Sequence, residues 1–245
     1  MLLKPDHHNI VNPVSGLVSL FLFDSQASDK EYDVFGSNHG VVSGGSWESN
    51  DQGLTYHLED ADYIDFGETE WSIEDEFSIF MRLCIRSNVA GVDYDAIFQR
   101  GRYFFPFAIR LSSYNELDFR TRTSGASGFL GDTLLSLNVW YDLFFTRDAA
   151  GNKVIYVDGV SDGSDTHTGT LDFGSGQKTI LGVNYDEGVD YSDIDLSCLA
   201  IFNKALTGEQ VAYFDPFEQF VRNRFRGFHV AAATGGNPWY YYAQQ

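Results

Sequence analysis

The sequence predicts an all-β sandwich or jelly roll, two antiparallel sheets with one short helix near the C-terminal end. Three observations carry this. Apolar residues recur at alternate positions in one run after another, Gly/Ser/Asn/Asp clusters separate those runs, and an aromatic content of 16% suits a pleated, half-buried surface. The 245 residues suffice for one large all-β core.

Taken in order, the strand-like runs begin with GLVSLFLFDS (16–25), YDVFGSNHGVVSGGSW (32–47) and ADYIDFG (61–67). In FSIFMRLCI, Phe77, Ile79, Met81, Leu83 and Ile85 share one face and Ser78, Arg82 and Cys84 the other, which predicts a strand with one buried side. FAIRL groups Phe107, Ile109 and Leu111, and ELDFRTRT alternates Leu117 and Phe119 with Glu116, Asp118 and Arg120. KVIYVDG alternates Val154 and Tyr156 with Lys153 and Ile155. The clusters SGGSWESNDQG, SGASG, DAAGN, DGSDTHTG and FGSGQ read as turns. DAAGN (148–152) is a polar turn between two antiparallel strands, and Asp158-Gly159 is a hairpin signal. Asp142, Asp148, Asp158 and Asp162 are thereby read as turn and strand-edge residues rather than as chemistry.

Thr207, with Gln210 three residues on, predicts a capped helix carrying Val211, Phe214 and Phe217 at helical spacing, interrupted at Asp215-Pro216. Arg222, Arg224 and Arg226 then precede Gly227, the pattern of a helix end. Beyond Gly235-Gly236 stand Trp239, Tyr240, Tyr241 and Tyr242. Four adjacent aromatics in a solvated tail waste apolar area, so they are expected to dock, either on the parent domain or on a neighbouring subunit or partner.

Formal charge is -19, from 35 acidic against 16 basic side chains, which opposes a sequence-independent grip on nucleic acid or on an anionic membrane. The start, MLLKPDHHNIVNP, lacks the basic and apolar regions of a secretory leader, and no apolar run reaches the roughly 18 residues of a membrane span. Cys84 and Cys198 are too few for a disulfide framework and read as buried free thiols.

The order of these runs, with YVDG after a Trp-led strand, a TILGVNY strand and IFNKAL before a short helix, resembles the laminin-G-like, concanavalin A-like jelly-roll family over residues 16–217. The resemblance implies an N-terminal arm (1–15), the jelly roll (16–217) and a C-terminal segment with the helix end and aromatic tail (218–245). NPVSGLV, DPFEQF and the terminal NPW are similar to the edges of members encoded by tailed bacteriophages and prophages. That implies a non-catalytic virion structural or decoration protein of capsid or tail, made in the host cytoplasm. Its partners would be other virion proteins or its own copies, and a surface glycan is a candidate ligand. The alternative is a carbohydrate-binding module or a glycoside hydrolase of the same fold.

A retaining hydrolase needs two facing carboxyls about 5 Å apart. Glu74 and Glu76 sit at the entry to a strand, and Glu31 and Asp33 fall in an early turn, so no enzyme is expected. Family members often hold calcium between an early aspartate loop and a late Asp-Asp pair. Asp33 matches the first; Ser197 and Cys198 stand where the pair would be, with Asp193 and Asp195 upstream. Calcium is the one candidate cofactor, with Asp33, Asn38 and Asp195 as its candidate ligands. For sugar, the resemblance points to loop tyrosines: Tyr103, Tyr114, Tyr185 and Tyr191 could stack on a pyranose, or could cap the edge of the core.

Overall fold

The alternation becomes strands in the computed structural model, which describes residues 15–23, 29–68, 71–87, 94–101, 106–184 and 191–214. In chain order these are β1 (Leu17–Phe21), β2 (Lys30–Glu31), β3 (Gly40–Ser43), β4 (Ser46–Asn50), β5 (Gly53–Leu58), β6 (Tyr63–Asp65), β7 (Phe77–Ser87) and β8 (Tyr94–Arg100). There follow β9 (Phe107–Ser112), β10 (Leu117–Arg122), β11 (Ala126–Leu130), β12 (Trp140–Arg147), β13 (Asn152–Val157), β14 (Val160–Thr166), β15 (Thr179–Leu181) and β16 (Asp193–Phe202). The helix α1 (Gly208–Ala212) comes last among the described residues. No helix among them is long and apolar enough to cross a membrane.

The strands pair antiparallel in two sheets. Sheet A runs β14-β13-β12-β7-β16-β5-β4, with β1 also pairing on β16; sheet B runs β11-β10-β9-β8-β15-β6-β3-β2. β5 pairs along Ile194–Leu196 of β16 and β1 along its other end, so the two meet opposite halves of that strand. The inner faces supply the core: Ile79, Met81, Leu83, Phe145, Leu199 and Ile201 from sheet A meet Phe98, Ile109, Phe119 and Leu181 from sheet B.

β7 departs from the one-sided expectation. Phe77, Ile79, Met81, Leu83 and Ile85 face the core as predicted, yet Ser78, Phe80 and Cys84 on the other face are buried too. For Phe80 the cause is a second layer: Phe214, just after α1, packs its ring 4.9 Å from Phe80, 5.0 Å from Phe144 and 5.8 Å from Phe202, while the Ser78 hydroxyl donates to the Lys204 carbonyl and accepts from Leu206 N. Thr207 caps α1 as predicted, its side chain accepting from Gln210 N while the Gln210 side chain reaches back to the cap. Cys84 and Cys198 are free and buried.

Lys153 shares a face with Ile155 as the alternation groups them, and that face is the buried one. It lies on the inner face beside Ile155 and is fully buried, with Nζ donating to the Ser127 carbonyl at 3.1 Å and 3.0 Å from Asp165 Oδ2. Its ammonium sits 5.2 Å from the Phe129 ring centroid, so the flank of the sandwich is closed by a cation that spans both sheets. Asp148 and Asp158 are turn residues as read, but Asp162 lies within β14, is 5% exposed and accepts from the Thr133 hydroxyl.

Candidate functional site

Period-2 alternation that turns Ile109 and Phe119 inward turns Arg110, Asp118 and Arg120 outward. Register then lines them up across sheet B: Gln99, Ala108, Arg120 and Gly128 are successive partners in one row, and Ala96, Arg110, Asp118 and Leu130 in the next. Asp118 Oδ2 accepts from Arg110 Nε at 3.0 Å and Arg120 Nε at 2.7 Å, and Arg110 Nη2 also reaches it. The Arg110 guanidinium lies 3.9 Å from the Tyr94 ring centroid and that of Arg120 5.4 Å. Stacking fixes both forks against one aromatic plane.

Small residues make this geometry possible. A Cβ on Gly128 would come within 2.4 Å of Arg120 Cγ, so only glycine lets that side chain lie across β11. Ala108 pairs with Gln99 and Ala96 with Arg110, and both alanines are buried. The Gln99 amide donates to Asn184 Oδ1 at 2.8 Å, while its Oε1 is buried and has no hydrogen-bond partner. Gln99 is 1% exposed, so its side chain lies beneath this face rather than on it.

Of the tyrosines named from sequence, Tyr114 stands at one end of this face and is 75% exposed. Ser112, which pairs with Tyr94, accepts through Oγ from Tyr114 N and Glu116 N, and that tight turn holds Tyr114 out in solvent. Tyr191 is half-buried and precedes Ser192, whose N–H donates to the Gly182 carbonyl at the end of β15. Tyr103 and Tyr185 lie outside the described residues, as do Trp239, Tyr240, Tyr241 and Tyr242.

The three candidate calcium ligands are not brought together. Asp33 and Asn38 are neighbours in one loop, but Asp33 Oδ1 accepts from the backbone of Leu20, Phe35 and Gly36, and Oδ2 from Ser19 Oγ and Asn38 N. Five donors on the four lone-pair positions of a carboxylate leave none for a cation. Asp195 sits five residues along β16 from Ala200, the partner of Leu20, a separation of roughly 16 Å at strand rise. It is engaged by His57 and Arg86 instead. Among the described residues no group of three His, Cys, Asp or Glu side chains is placed to hold a metal. The Asp33 loop forms one wall of a cleft of about 620 Å³ that Phe35, Asn38 and Trp71 also line.

On the outer face of sheet A a second polar row runs Trp140, Cys84, Asp195, His57 and Ser46. A thiol beside an Asp–His couple suggests nucleophilic chemistry, but burial and the Asp195 charge push the Cys84 thiol up to about 11, so it stays protonated at neutral pH. His57 Nδ1 lies 2.7 Å from Asp195 Oδ1, and Nε2 lies 3.5 Å from Glu59 and 3.8 Å from Asp193. Burial lowers the His57 pKa, but the hydrogen bond to Asp195 and the charges of Asp195, Asp193 and Glu48 outweigh it and leave the value raised. A raised folded-state pKa contributes stability that is complete below the unfolded value near 6.5 and is lost as pH rises through the folded one. Urea melts from pH 6 to 9 should therefore show the wild type losing stability that His57→Gln does not lose. Parallel curves for the two proteins would contradict this electrostatic role.

Tyr94, Arg110, Asp118, Arg120 and Gln99 were not among the site residues read from sequence. A signal for three of them was present: the turn SSYNE (112–116) between FAIRL and ELDFRTRT sets a hairpin register that pairs Arg110 with Asp118 and leaves Arg120 on the same face.

With the geometry in place, comparison with known proteins is informative about fold. The family model described as the concanavalin A-like lectin/glucanases superfamily matches residues 58–212. No curated protein matches the sequence. Among solved structures, domain 4 of AbnA, a GH43 extracellular arabinanase from Geobacillus stearothermophilus, solved with arabinotriose, has TM-score 0.61 at 17% identity over 80% of this chain and 97% of that one. The binding domain of Paraclostridial Mosquitocidal Protein 1 has TM-score 0.60 at 19% identity, over 80% of this chain and 51% of that one. A botulinum neurotoxin type C structure, whose cell entry depends on two ganglioside molecules, has TM-score 0.62 at 14% identity, over 80% and 50%. The chain thus spans about half the length of these two toxin structures.

Proposed function

The chain belongs to the concanavalin A-like lectin/glucanases superfamily, and from that premise we propose that it is a non-catalytic carbohydrate-binding module whose outer sheet B face holds a glycan. The observation that carries the reading is the outward-facing platform of Tyr94, Arg110, Asp118 and Arg120. Sugars present hydroxyl pairs and a weakly apolar ring face, and an aromatic flanked by fixed planar donors and acceptors complements both. Solved structures of this fold that hold arabinotriose or depend on gangliosides support the choice of ligand class.

Glycoside hydrolysis needs a facing pair of carboxyls, one of them able to give a proton. The acids described on this side of the sheet are otherwise engaged: Asp118 by two arginines, Asp65 by Lys178 at 2.9 Å, and Glu116 by the Ser112 hydroxyl at 3.1 Å. This supports binding without turnover.

A glycan array tests the reading directly. The folded wild type should retain at least one oligosaccharide class, and Tyr114→Ala, at an exposed turn position, should weaken it about 3- to 10-fold without lowering thermal stability. A folded protein that retains no glycan would sink the proposal, and new reducing ends on the bound glycan would sink its non-catalytic part.

The flanking motifs NPVSGLV, DPFEQF and NPW favour placing this module on a bacteriophage particle, as a capsid or tail decoration that assembles with other virion proteins or its own copies. Native mass spectrometry of purified particles checks that setting. A normal particle after deletion of 235–245 would rule out docking through the aromatic tail.

A further inference from the structure

We propose that the cleft beside the Asp33 loop is a second saccharide site, one that takes an uncharged, hydroxyl-rich ring; this rests on the carbohydrate-binding reading above but not on the outer face of sheet B. Three departures from regular packing meet there. A bulge between Leu17 and Ser19 takes Val18 out of the β1–β16 ladder. The Asp33 loop presses onto that bulge, with the Gly36 backbone so close that a Cβ there would come within 2.6 Å of the Val18 carbonyl. Trp71 and Ser72, successive residues ahead of β7, both hold left-handed backbone, at φ 50° and 52°. That conformation is strained for any residue with a side chain, and such strain gathers where a chain is shaped around a ligand. Together these segments leave the cleft of about 620 Å³, within the size range of small-molecule sites.

The lining selects the ligand class. Eight described residues form it and none is charged, in a chain of which 21% is Asp, Glu, Lys or Arg. The Asp33 carboxylate of the same loop is saturated by its five donors and presents no free acceptor. A charged ligand would give up its hydration here without gaining a counter-charge. Val18 and Phe35 are half-buried and supply an apolar wall, while the exposed Ser37 and Ser72 and the half-buried Asn38 supply hydroxyl and amide groups. The Asn38 side chain is fixed before a ligand arrives, because its Nδ2 donates to Ser19 Oγ at 2.9 Å. An apolar wall beside uncharged donors and acceptors matches a sugar ring, whose C–H face is weakly apolar and whose hydroxyls both donate and accept.

The cleft and the platform of Arg110, Asp118 and Arg120 lie toward opposite edges of sheet B. The Asp33 loop joins β2 to β3, and four strand spacings separate β3 from β9, roughly 19 Å. One monosaccharide cannot touch both, so the chain holds two separate sites.

The experiment titrates the folded full chain with neutral hexoses, pentoses and N-acetylhexosamines and their short oligomers, and follows backbone amides by NMR. At least one should shift the amides of Phe35, Gly36, Ser37 and Ser72 in a saturable way, and its uronic acid counterpart should bind about ten-fold or more weakly there. Ser37→Trp, which sets an indole over the cleft from an exposed position, should weaken that binding about ten-fold or more. Ser72→Gly, which relieves the left-handed backbone, should leave the protein at least as stable yet weaken binding about three-fold through the lost hydroxyl. Shifts confined to Tyr94, Arg110 and Arg120, or cleft shifts that persist at full affinity in both folded variants, would overturn this inference and leave the sheet B reading standing. Equal binding of the uronic acid would overturn the selection for uncharged rings. Shifts confined to the cleft would uphold this inference and count against the sheet B face, and a folded wild type that binds no saccharide would overturn both.

Discussion

Arg147→Met is expected to destabilise the protein by about 3–5 kcal/mol, read as a lower urea midpoint at unchanged slope. Arg147 is fully buried at the end of β12 and donates to three backbone carbonyls: Nη1 to Asp75, and Nη2 to His167 at 3.1 Å and Gly169 at 2.7 Å. It thereby ties the chain entering β7 to the chain leaving β14, a junction that Leu171 N reinforces by donating to Asp75 Oδ1 at 2.7 Å. Methionine matches much of the volume, so the cavity is small and the loss is one of donors. Each carbonyl left without a partner costs about 1–3 kcal/mol, and partial hydration at the sandwich end keeps the sum below the maximum. A loss under about 1 kcal/mol would show that water serves these carbonyls already.

Arg147 and Lys153 also show where reading by alternation stops. The inward register of β12 and β13 places both on the core side, in line with Phe145 and Ile155. Polarity alone assigns a Lys or Arg to solvent, because burial without partners is costly. Asp165 faces Lys153 across the β13–β14 hairpin and His167 and Gly169 follow it, while Ser127 comes from sheet B, so Lys153 draws one acceptor that only the closed sandwich supplies. Strand identity was legible in short-range pattern; which side a cation takes depends on acceptors supplied from elsewhere in the chain.

The candidate site divides in the same way. Arg110, Asp118 and Arg120 sit on one hairpin, so turn length and alternation place them together. Tyr94 and Gln99 come from β8, where a bulge between Ala96 and Phe98 breaks the alternation and brings Ile97 and Phe98 both to the core. A strict count from Tyr94 would put Gln99 on the opposite face. The Asp33 loop was ambiguous for a different reason: an aspartate among Gly, Ser and Asn can bind calcium or bind its own backbone, and the choice lies with donors at Ser19 and Leu20 on a separate strand.

That choice sets the second large prediction. Asp33→Ala is expected to cost about 3–5 kcal/mol and Asp33→Asn about 2–3 kcal/mol, with EDTA leaving the wild-type urea midpoint unchanged. Asp33 is 2% exposed, and its carboxylate gathers the N–H groups of Phe35, Gly36 and Asn38 from its own loop, together with Leu20 N and the Ser19 hydroxyl of β1. Alanine leaves all five donors without that acceptor. Asparagine keeps one oxygen but turns an NH2 toward groups that are themselves donors, so it exchanges charge-assisted bonds for fewer neutral ones. Gly36 explains why the loop cannot simply readjust, since a Cβ there would already lie 2.6 Å from both Asp33 Oδ2 and the Val18 carbonyl. The loop also walls the cleft beside Trp71, so its loosening should raise hydrogen exchange at residues 35–38 before it reaches β16. An Asp33→Asn protein as stable as the wild type would show that the carboxylate is not what holds this loop to β1. A wild-type midpoint that falls in EDTA and recovers with added calcium would restore the metal role that the saturated carboxylate argues against.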